Sequence, residues 1–202
     1  FPAALSARDS RLWDRLSIVC EEAELTPADV IFMDLETTGL GSSPLFLVGV
    51  MVWAGDGFEV RQYLARHYAE AAPVIAQFIE LCAPKKLLIT FNGKSFDFPF
   101  VRTRAAATGV PFDLKPWHFD LLHECRRIWR DKLPDCKLQT LERRVCGRLR
   151  RGDIPGSEIP DAYHAFVRTQ NAFQIVEVLK HNMLDLITLA DIMTRFPTRS
   201  AQ

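Results

Sequence analysis

Asp34 and Glu36 stand two residues apart near the end of an apolar run, Val30-Ile31-Phe32-Met33-Asp34-Leu35-Glu36, which closes on Thr37-Thr38-Gly39-Leu40. Branched and aromatic residues followed by a glycine turn signal read as a buried β-strand. Side chains alternate faces along a strand, so the two carboxylates point the same way. Like charges on one face repel each other and are costly to strip of water. A cation beside them removes that cost, so the pair suits a hard divalent metal. A solvated strand edge also accounts for two acids at this spacing.

Leu87-Leu88-Ile89-Thr90-Phe91 reads as a second buried strand, turned by Asn92-Gly93 and followed by Lys94-Ser95-Phe96-Asp97. Ser95 is placed to N-cap a helix whose first turn holds Asp97, with Pro99 close behind. A carboxylate there complements the helix dipole whatever else it does. The crowding of Asn92, Gly93 and Lys94 at a strand tip also suits the holding of a polar ligand. A third group lies in Lys180-His181-Asn182-Met183-Leu184-Asp185. Ile175, Val178, Leu179, Leu186 and Leu189 are spaced as on a helix, so His181 and Asp185, four apart, share one face a turn from each other. They read as a surface pair, as a histidine cap on a buried carboxylate, or as part of a site.

Taken in order, Asp34-x-Glu36 with Thr37-Thr38-Gly39-Leu40, then Asn92-x4-Asp97, then His181-x3-Asp185 resemble the three exonuclease motifs of the DEDD superfamily, the ribonuclease-H-like 3′→5′ exonucleases. Residues 90–97 and the stretch Arg151-Gly152-Asp153-Ile154-Pro155-Gly156-Ser157-Glu158-Ile159-Pro160 resemble its YprB-type branch more narrowly. The likeness runs from about Val30 to Ile192. One position departs from the pattern. The histidine subgroup of that superfamily has His five residues before the last Asp, and the tyrosine subgroup has Tyr four before it. Here position 180 is Lys and His181 takes the tyrosine spacing. One residue is about 100° of helix rotation. His181 is therefore expected to approach as the tyrosine does, with a ring able to take a proton near neutral pH.

The resemblance implies a chemistry. Asp34, Glu36, Asp97 and Asp185 would bind two divalent ions about 4 Å apart, magnesium or manganese because the ligands are all oxygen. His181 would accept the proton of the attacking water. Leu40 would wedge against the terminal base. Asn92 and Lys94 would hold the terminal nucleotide or its phosphate, with Thr37, Thr38 and Ser95 completing the contacts. The substrate would be the 3′ end of DNA or RNA. A structure-specific endonuclease or resolvase on the same fold, or a non-catalytic nucleic-acid-binding module, is the alternative. All four carboxylates are present, which weighs against the module. Thr-Thr-Gly-Leu after the first pair weighs against the resolvase.

Twenty-five basic residues balance twenty-five acidic ones in the 202-residue chain, but unevenly. Between Arg126 and Arg151 ten basic residues, including Arg143, Arg144 and Arg148, meet only Asp131, Asp135 and Glu142. From Phe1 to Glu36 eight acids meet three arginines. Such asymmetry suits a phosphate-binding face, Arg143, Arg144 and Arg148 foremost, beside an acidic metal site. No apolar run is long enough for a membrane span and no signal peptide is visible. The five cysteines include no Cys-x-x-Cys, which points to a reducing, cytoplasmic setting. His118, His123 and Cys125 read better as a strand entering a helix than as zinc ligands. A start at Phe1 rather than Met is expected of an excised or trimmed piece.

The elements that must position these groups follow from periodicity. Strands are expected at Val30–Glu36, Leu45–Trp53, Phe58–Leu64, Leu87–Phe91 and near His118. Helices are expected at Arg11–Glu24, Tyr68–Cys82, Ser95–Thr108, Leu121–Arg130, Leu138–Cys146, Ile159–Val167 and Phe173–Phe196. Gly55-Asp56-Gly57 suits a hairpin turn. Three strands joined by short turns, then strands alternating with helices, give an α/β fold. The resemblance makes it a ribonuclease-H-like mixed sheet, with three antiparallel strands and then parallel ones, flanked by helices. The expected layout is an N-terminal helical extension over 1–28, the domain over 29–196 and a frayed polar tail over 197–202.

Overall fold

The computed structural model describes residues 11–21, 24–39, 41 and 43–197. Leu40, residues 1–10 of the expected extension, and the expected tail apart from Pro197 lie outside the described residues. Five strands, β1 (Val30–Thr37), β2 (Leu45–Trp53), β3 (Phe58–Leu64), β4 (Leu87–Thr90) and β5 (Trp117–Asp120), form one sheet in the order β3-β2-β1-β4-β5. The first three pair antiparallel because short connections join them. At the second connection Gly55 takes a φ of 103°, and the Ala54 amide donates to the Gly57 carbonyl at 2.8 Å. β4 and β5 add parallel to β1 because helical crossovers bring the chain back to the same end. This is the mixed sheet expected from the sequence.

The helices are α1 (Arg11–Val19), α2 (Ala71–Cys82), α3 (Asp97–Thr108), α4 (Leu121–Trp129), α5 (Leu138–Arg144), α6 (Ile159–Thr169) and α7 (Phe173–Thr194). They cover both faces of the sheet. Ile31, Met33 and Leu35 pack with Phe78 of α2, Val101 of α3 and Tyr163 of α6. Val30 and Phe32 pack with Leu16 of α1 and with Leu186, Leu189 and Ile192 of α7. Burial on both faces explains why β1 and β2 read as continuous apolar runs rather than alternating ones. Asp34 and Glu36 share the parity of Val30 and Phe32, so they emerge on the face that α7 covers. No helix of the described residues is long and apolar enough to cross a membrane.

Three local expectations change. The first helix ends at Val19, short of Glu24, and the stretch at Tyr68 begins as a 3₁₀ turn before becoming α-helical at Ala71. Ser95 does not cap α3. Phe96 holds the cap position without a side-chain bond, and Ser95 sits in a turn with its amide donating to the Asn92 carbonyl. The Phe98 amide that such a cap would satisfy donates to the Gly93 carbonyl at 2.9 Å instead, in a turn whose Asn92 and Lys94 amides are held by the distant Asp120.

Candidate active site

β1 and β4 run parallel, so Asp34 and Glu36 reach the same end of the sheet as the turn that leaves β4. The β1–β2 register shifts by a residue between Glu36 and Thr37, an irregularity in the ladder at the site. Asp120, the last residue of β5, organises the β4 turn. Its carboxylate accepts the amides of Asn92 at 2.8 Å, Lys94 at 3.0 Å and Leu122 at 3.0 Å. Asn92 takes a left-handed φ of 63°, which asparagine tolerates. A β-carbon on Gly93 would lie 2.3 Å from the Thr90 hydroxyl, so only glycine fits. The turn delivers Asp97, buried, to the sheet end, where the Leu35 amide, between Asp34 and Glu36 in sequence, favours its charged form.

α7 brings the fourth carboxylate, and Asn182 anchors it. The Asn182 Nδ2 donates to Asp34 Oδ2 at 2.8 Å, and its Oδ1 accepts from Gln62 Nε2 at 2.9 Å. Gln62 also donates to the Leu179 carbonyl at 2.7 Å. Gly49 pairs with Asp34 on one side and Gln62 on the other. A β-carbon there would come within 1.9 Å of Asn182 Oδ1, so its bareness lets the helix lie against the sheet. His181, Asp185 and Thr188 then follow at i, i+4 and i+7 along one helix face.

The acids act on each other. Burial pushes Asp34 well above the usual carboxylate range, and the charges of Asp185, Glu36 and Asp97 add to it against the Asn182 hydrogen bond. Burial raises Glu36 likewise, helped by Asp185, Asp97 and Asp153. Asp97 is pushed up to about 7 by burial, with Asp120 adding and its own and the Leu35 amide opposing. Asp185 is raised by burial while Arg150 and His181 hold it down in part. Among the described residues no Lys or Arg pairs with Asp34, Glu36 or Asp97. Among the described residues no three His, Cys, Asp or Glu side chains stand close enough together to hold a metal ion as they are. Repelling carboxylates stand apart until a cation screens them, and this all-oxygen donor set fits magnesium or manganese.

Two groups reach the site from outside the three exonuclease motifs, Asp153 from within the 151–160 stretch and Arg150 from just before it. Arg150 is only 7% exposed at its side chain. Its Nε donates to Glu142 Oε2 at 2.6 Å, its Nη1 to Asp153 Oδ2 at 3.2 Å and its Nη2 to Asp185 Oδ1. Asp153 Oδ2 also lies 2.9 Å from His181 Nδ1, and His181 Nε2 lies 3.6 Å from Asp185 Oδ2. In the sequence Arg150 is one basic residue among ten, and Asp153 is the lone acid before Ile154-Pro155. Nothing in a separation of 28 residues announces its contact with His181.

The remaining expected substrate contacts are placed as follows. Thr37 Oγ1 donates to the Gly39 carbonyl at 2.8 Å, and the Thr38 amide donates to the Pro44 carbonyl at 3.1 Å. Asn92, Lys94 and Ser95 are exposed on the β4 turn. Arg143 and Arg144 are exposed at the end of α5 and make no ion pair among the described residues. They line a cleft of about 590 Å³ that also touches Gln139, Leu149, Arg150 and Asp153. Arg148 lines the same cleft, with its guanidinium donating to Glu142 Oε1 at 2.8 Å and to Thr188 Oγ1 at 2.8 Å. His118 lies 2.8 Å from the Thr90 hydroxyl and burial pushes it down to about 4. All five cysteines are free thiols.

A model of the RNase_H superfamily matches residues 31–196. The chain is 33% identical over 169 residues to the YprB protein of Bacillus subtilis (strain 168), a match over 81% of this chain and 41% of that one. It thus spans less than half the length of that relative. Among solved structures, the family B DNA polymerase of the hyperthermophilic archaeon Pyrobaculum calidifontis is similar in fold. The TM-score is 0.64 at 18% identity, over 86% of this chain and 25% of that one. The Aedes aegypti Nibbler EXO domain aligns over 92% of each chain at 15% identity, with a TM-score of 0.39.

Proposed function

The chain belongs to the RNase_H superfamily, and from that premise we propose that it is a metal-dependent 3′→5′ exonuclease hydrolysing phosphodiester bonds at nucleic-acid ends. One observation supports this above all. Asp34, Glu36, Asp97 and Asp185, drawn from three separate motifs, lie close enough for the charges of Asp97 and Asp185 to raise the proton affinity of Asp34 and Glu36. Burying such a set without a cation is unfavourable, and only a ligand of opposite charge gives it a purpose.

Asp34, Glu36, Asp97 and Asp185 would hold two divalent ions, magnesium or manganese, which when bound activate a water and stabilise the leaving 3′ oxygen. His181 faces that cluster with Nε2 on the Asp185 side and takes the water's proton. Thr37, Thr38, Asn92, Lys94 and Ser95 lie on the two strand tips that flank the carboxylates, where a terminal nucleotide would be gripped. The cleft bearing Arg143 and Arg144 opens from the Arg150 side of the site and suits the phosphates of the following nucleotides.

The test is digestion of 5′-labelled and 3′-labelled oligonucleotides of DNA and RNA with magnesium, manganese or excess chelator. A 5′ label should yield a ladder shortening one nucleotide at a time, while a 3′ label leaves at once as mononucleotide. Internal cuts would replace the exonuclease with an endonuclease. Cleavage unchanged in chelator would remove the metals. Binding with no cleavage under either metal would leave a nucleic-acid-binding module.

A further inference from the structure

Arg150 carries one positive charge and meets three carboxylates, those of Glu142, Asp153 and Asp185. Glu142 and Asp185 already suffice to neutralise it. Asp153 is a third acid, nine-tenths buried, whose Oδ1 has no hydrogen-bond partner among the described residues. A buried carboxylate with an orphaned oxygen is a cost that a purely structural tie to Arg150 does not explain. What Asp153 does that the other two do not is contact the ring of His181, Oδ2 to Nδ1 at 2.9 Å.

We propose that Asp153, held in place by Arg150, is a positioning residue that fixes the tautomer and orientation of His181. An ionised carboxylate only accepts hydrogen bonds, so at this distance Nδ1 must carry the hydrogen. The opposite tautomer would aim the Nδ1 lone pair at an anionic oxygen. With Nδ1 protonated, the neutral ring presents a bare Nε2 on its far edge, on the side of Asp185. Nε2 is 3.6 Å from Asp185 Oδ2, beyond hydrogen-bonding range, so that lone pair is not consumed. Arg150 secures the arrangement. Its Nη1 bonds the same Asp153 oxygen that His181 uses, and its Nε is fixed by Glu142, which is 1% exposed. The chain of contacts runs from Glu142 through Arg150 and Asp153 to His181, and each link constrains the next. Carboxylates that orient a working imidazole through its second nitrogen are a recurring device.

This inference deepens the nuclease reading and rests on it for the effect on rate, but the tautomer does not depend on that reading. Long-range ¹H–¹⁵N correlation spectra of the metal-free protein in alkaline buffer, with the His181 signals assigned through His181→Ala, should show hydrogen on Nδ1 and none on Nε2. A ring with hydrogen on Nε2 overturns the proposal in the parent protein, with no variant needed. Asp153→Asn can donate to Nδ1 and so should shift His181 toward the Nε2–H form. It should lower kcat by about 10²-fold with KM within a few-fold, and Asp153→Glu should recover part of the loss. In a His181→Ala background Asp153→Asn should cost little more, because its effect passes through the ring. An additive loss in that double variant, or an unchanged tautomer in Asp153→Asn, overturns the role. Absence of any nuclease activity would sink the functional reading, while the tautomer would still decide the role of Asp153.

Discussion

On the strand side of the site, Asp34, Glu36 and Asp97 meet without any cation among the described residues. On the helix side, Asp185 and Asp153 share the guanidinium of Arg150, which also holds Glu142. Both walls bury acid, yet only the helix wall holds a cation of its own. The strand wall is left short of positive charge, so its carboxyls are driven toward the protonated state and a divalent ion has something to gain by binding there. The helix wall is tied together by Arg150, which suits the wall that holds His181. Had Arg150 reached all the acids, the site would be stable and inert.

The sharpest way to break this contrast is to remove one acid from the unbalanced wall. Asp34→Ala should reduce oligonucleotide cleavage by at least about 10³-fold, the scale of losing one preorganised charge-stabilising group, while the fold survives. A clean Asp34→Ala protein digesting at the parent rate would end the assignment. His181→Ala comes next. General base catalysis contributes about 10²–10⁴-fold, so slow, metal-dependent activity should remain and His181→Tyr should restore part of the loss. Lys180→His combined with His181→Ala should not help, since one residue turns the ring about 100° away. An unaffected His181→Ala would take the ring out of the mechanism.

Stability separates the walls directly. Arg150→Met leaves Asp153 and Asp185 without their arginine, and Glu142 with Arg148 alone, and should cost about 3–5 kcal/mol in urea unfolding of the metal-free protein. Asp34→Ala, which relieves repulsion, should cost nothing or stabilise. Equal losses in the two variants would mean that the walls do not differ as described.

pH offers a gentler version of the same test. A carboxyl whose proton affinity is raised by folding keeps its proton where the unfolded chain has lost it. Its contribution to stability is whole below the unfolded value, about 4, and is lost as pH rises through the folded one, about 7 for Asp97. The metal-free protein should therefore melt lower at about pH 8 than at about pH 5.5, by roughly 2–4 °C for each kcal/mol lost in a chain of this size. Magnesium held by the ionised carboxylates should flatten the trend. A metal-free melting temperature that climbs over this range contradicts the strand wall's electrostatics. The smallest effect concerns the arginines. Arg143→Ala with Arg144→Ala should weaken nucleic-acid binding and lower the salt slope by about one for each phosphate no longer neutralised, with little change in stability. Arg148→Ala should do the reverse, because that guanidinium is spent on Glu142 and Thr188.

The strands, the hairpin at Gly55 and the face shared by Asp34 and Glu36 were legible in the residues because period-two alternation and glycine turns are local properties. So was the His181–Asp185 pair, because helical spacing is local too. The motif order added which acids belong together. The reading of Ser95 as a helix cap failed in a turn held by a long-range contact. Asp120 lies 28 positions from Asn92 in sequence and takes the amides of that turn. Any local rule would have favoured the serine.

What the sequence determined by itself, then, is the inventory of strands, helices and catalytic-type acids, and the side of each element on which those acids lie. Only the tertiary structure decided how their charges are disposed. Gly49 leaves room for Asn182 to hold Asp34, Arg150 turns away from the basic surface into the acids, and Asp153 reaches His181. Each of these joins residues whose separation carries no period. Charge pairing acts through space, across elements that the packing of α7 on the sheet brings together, and a linear pattern holds no record of that distance.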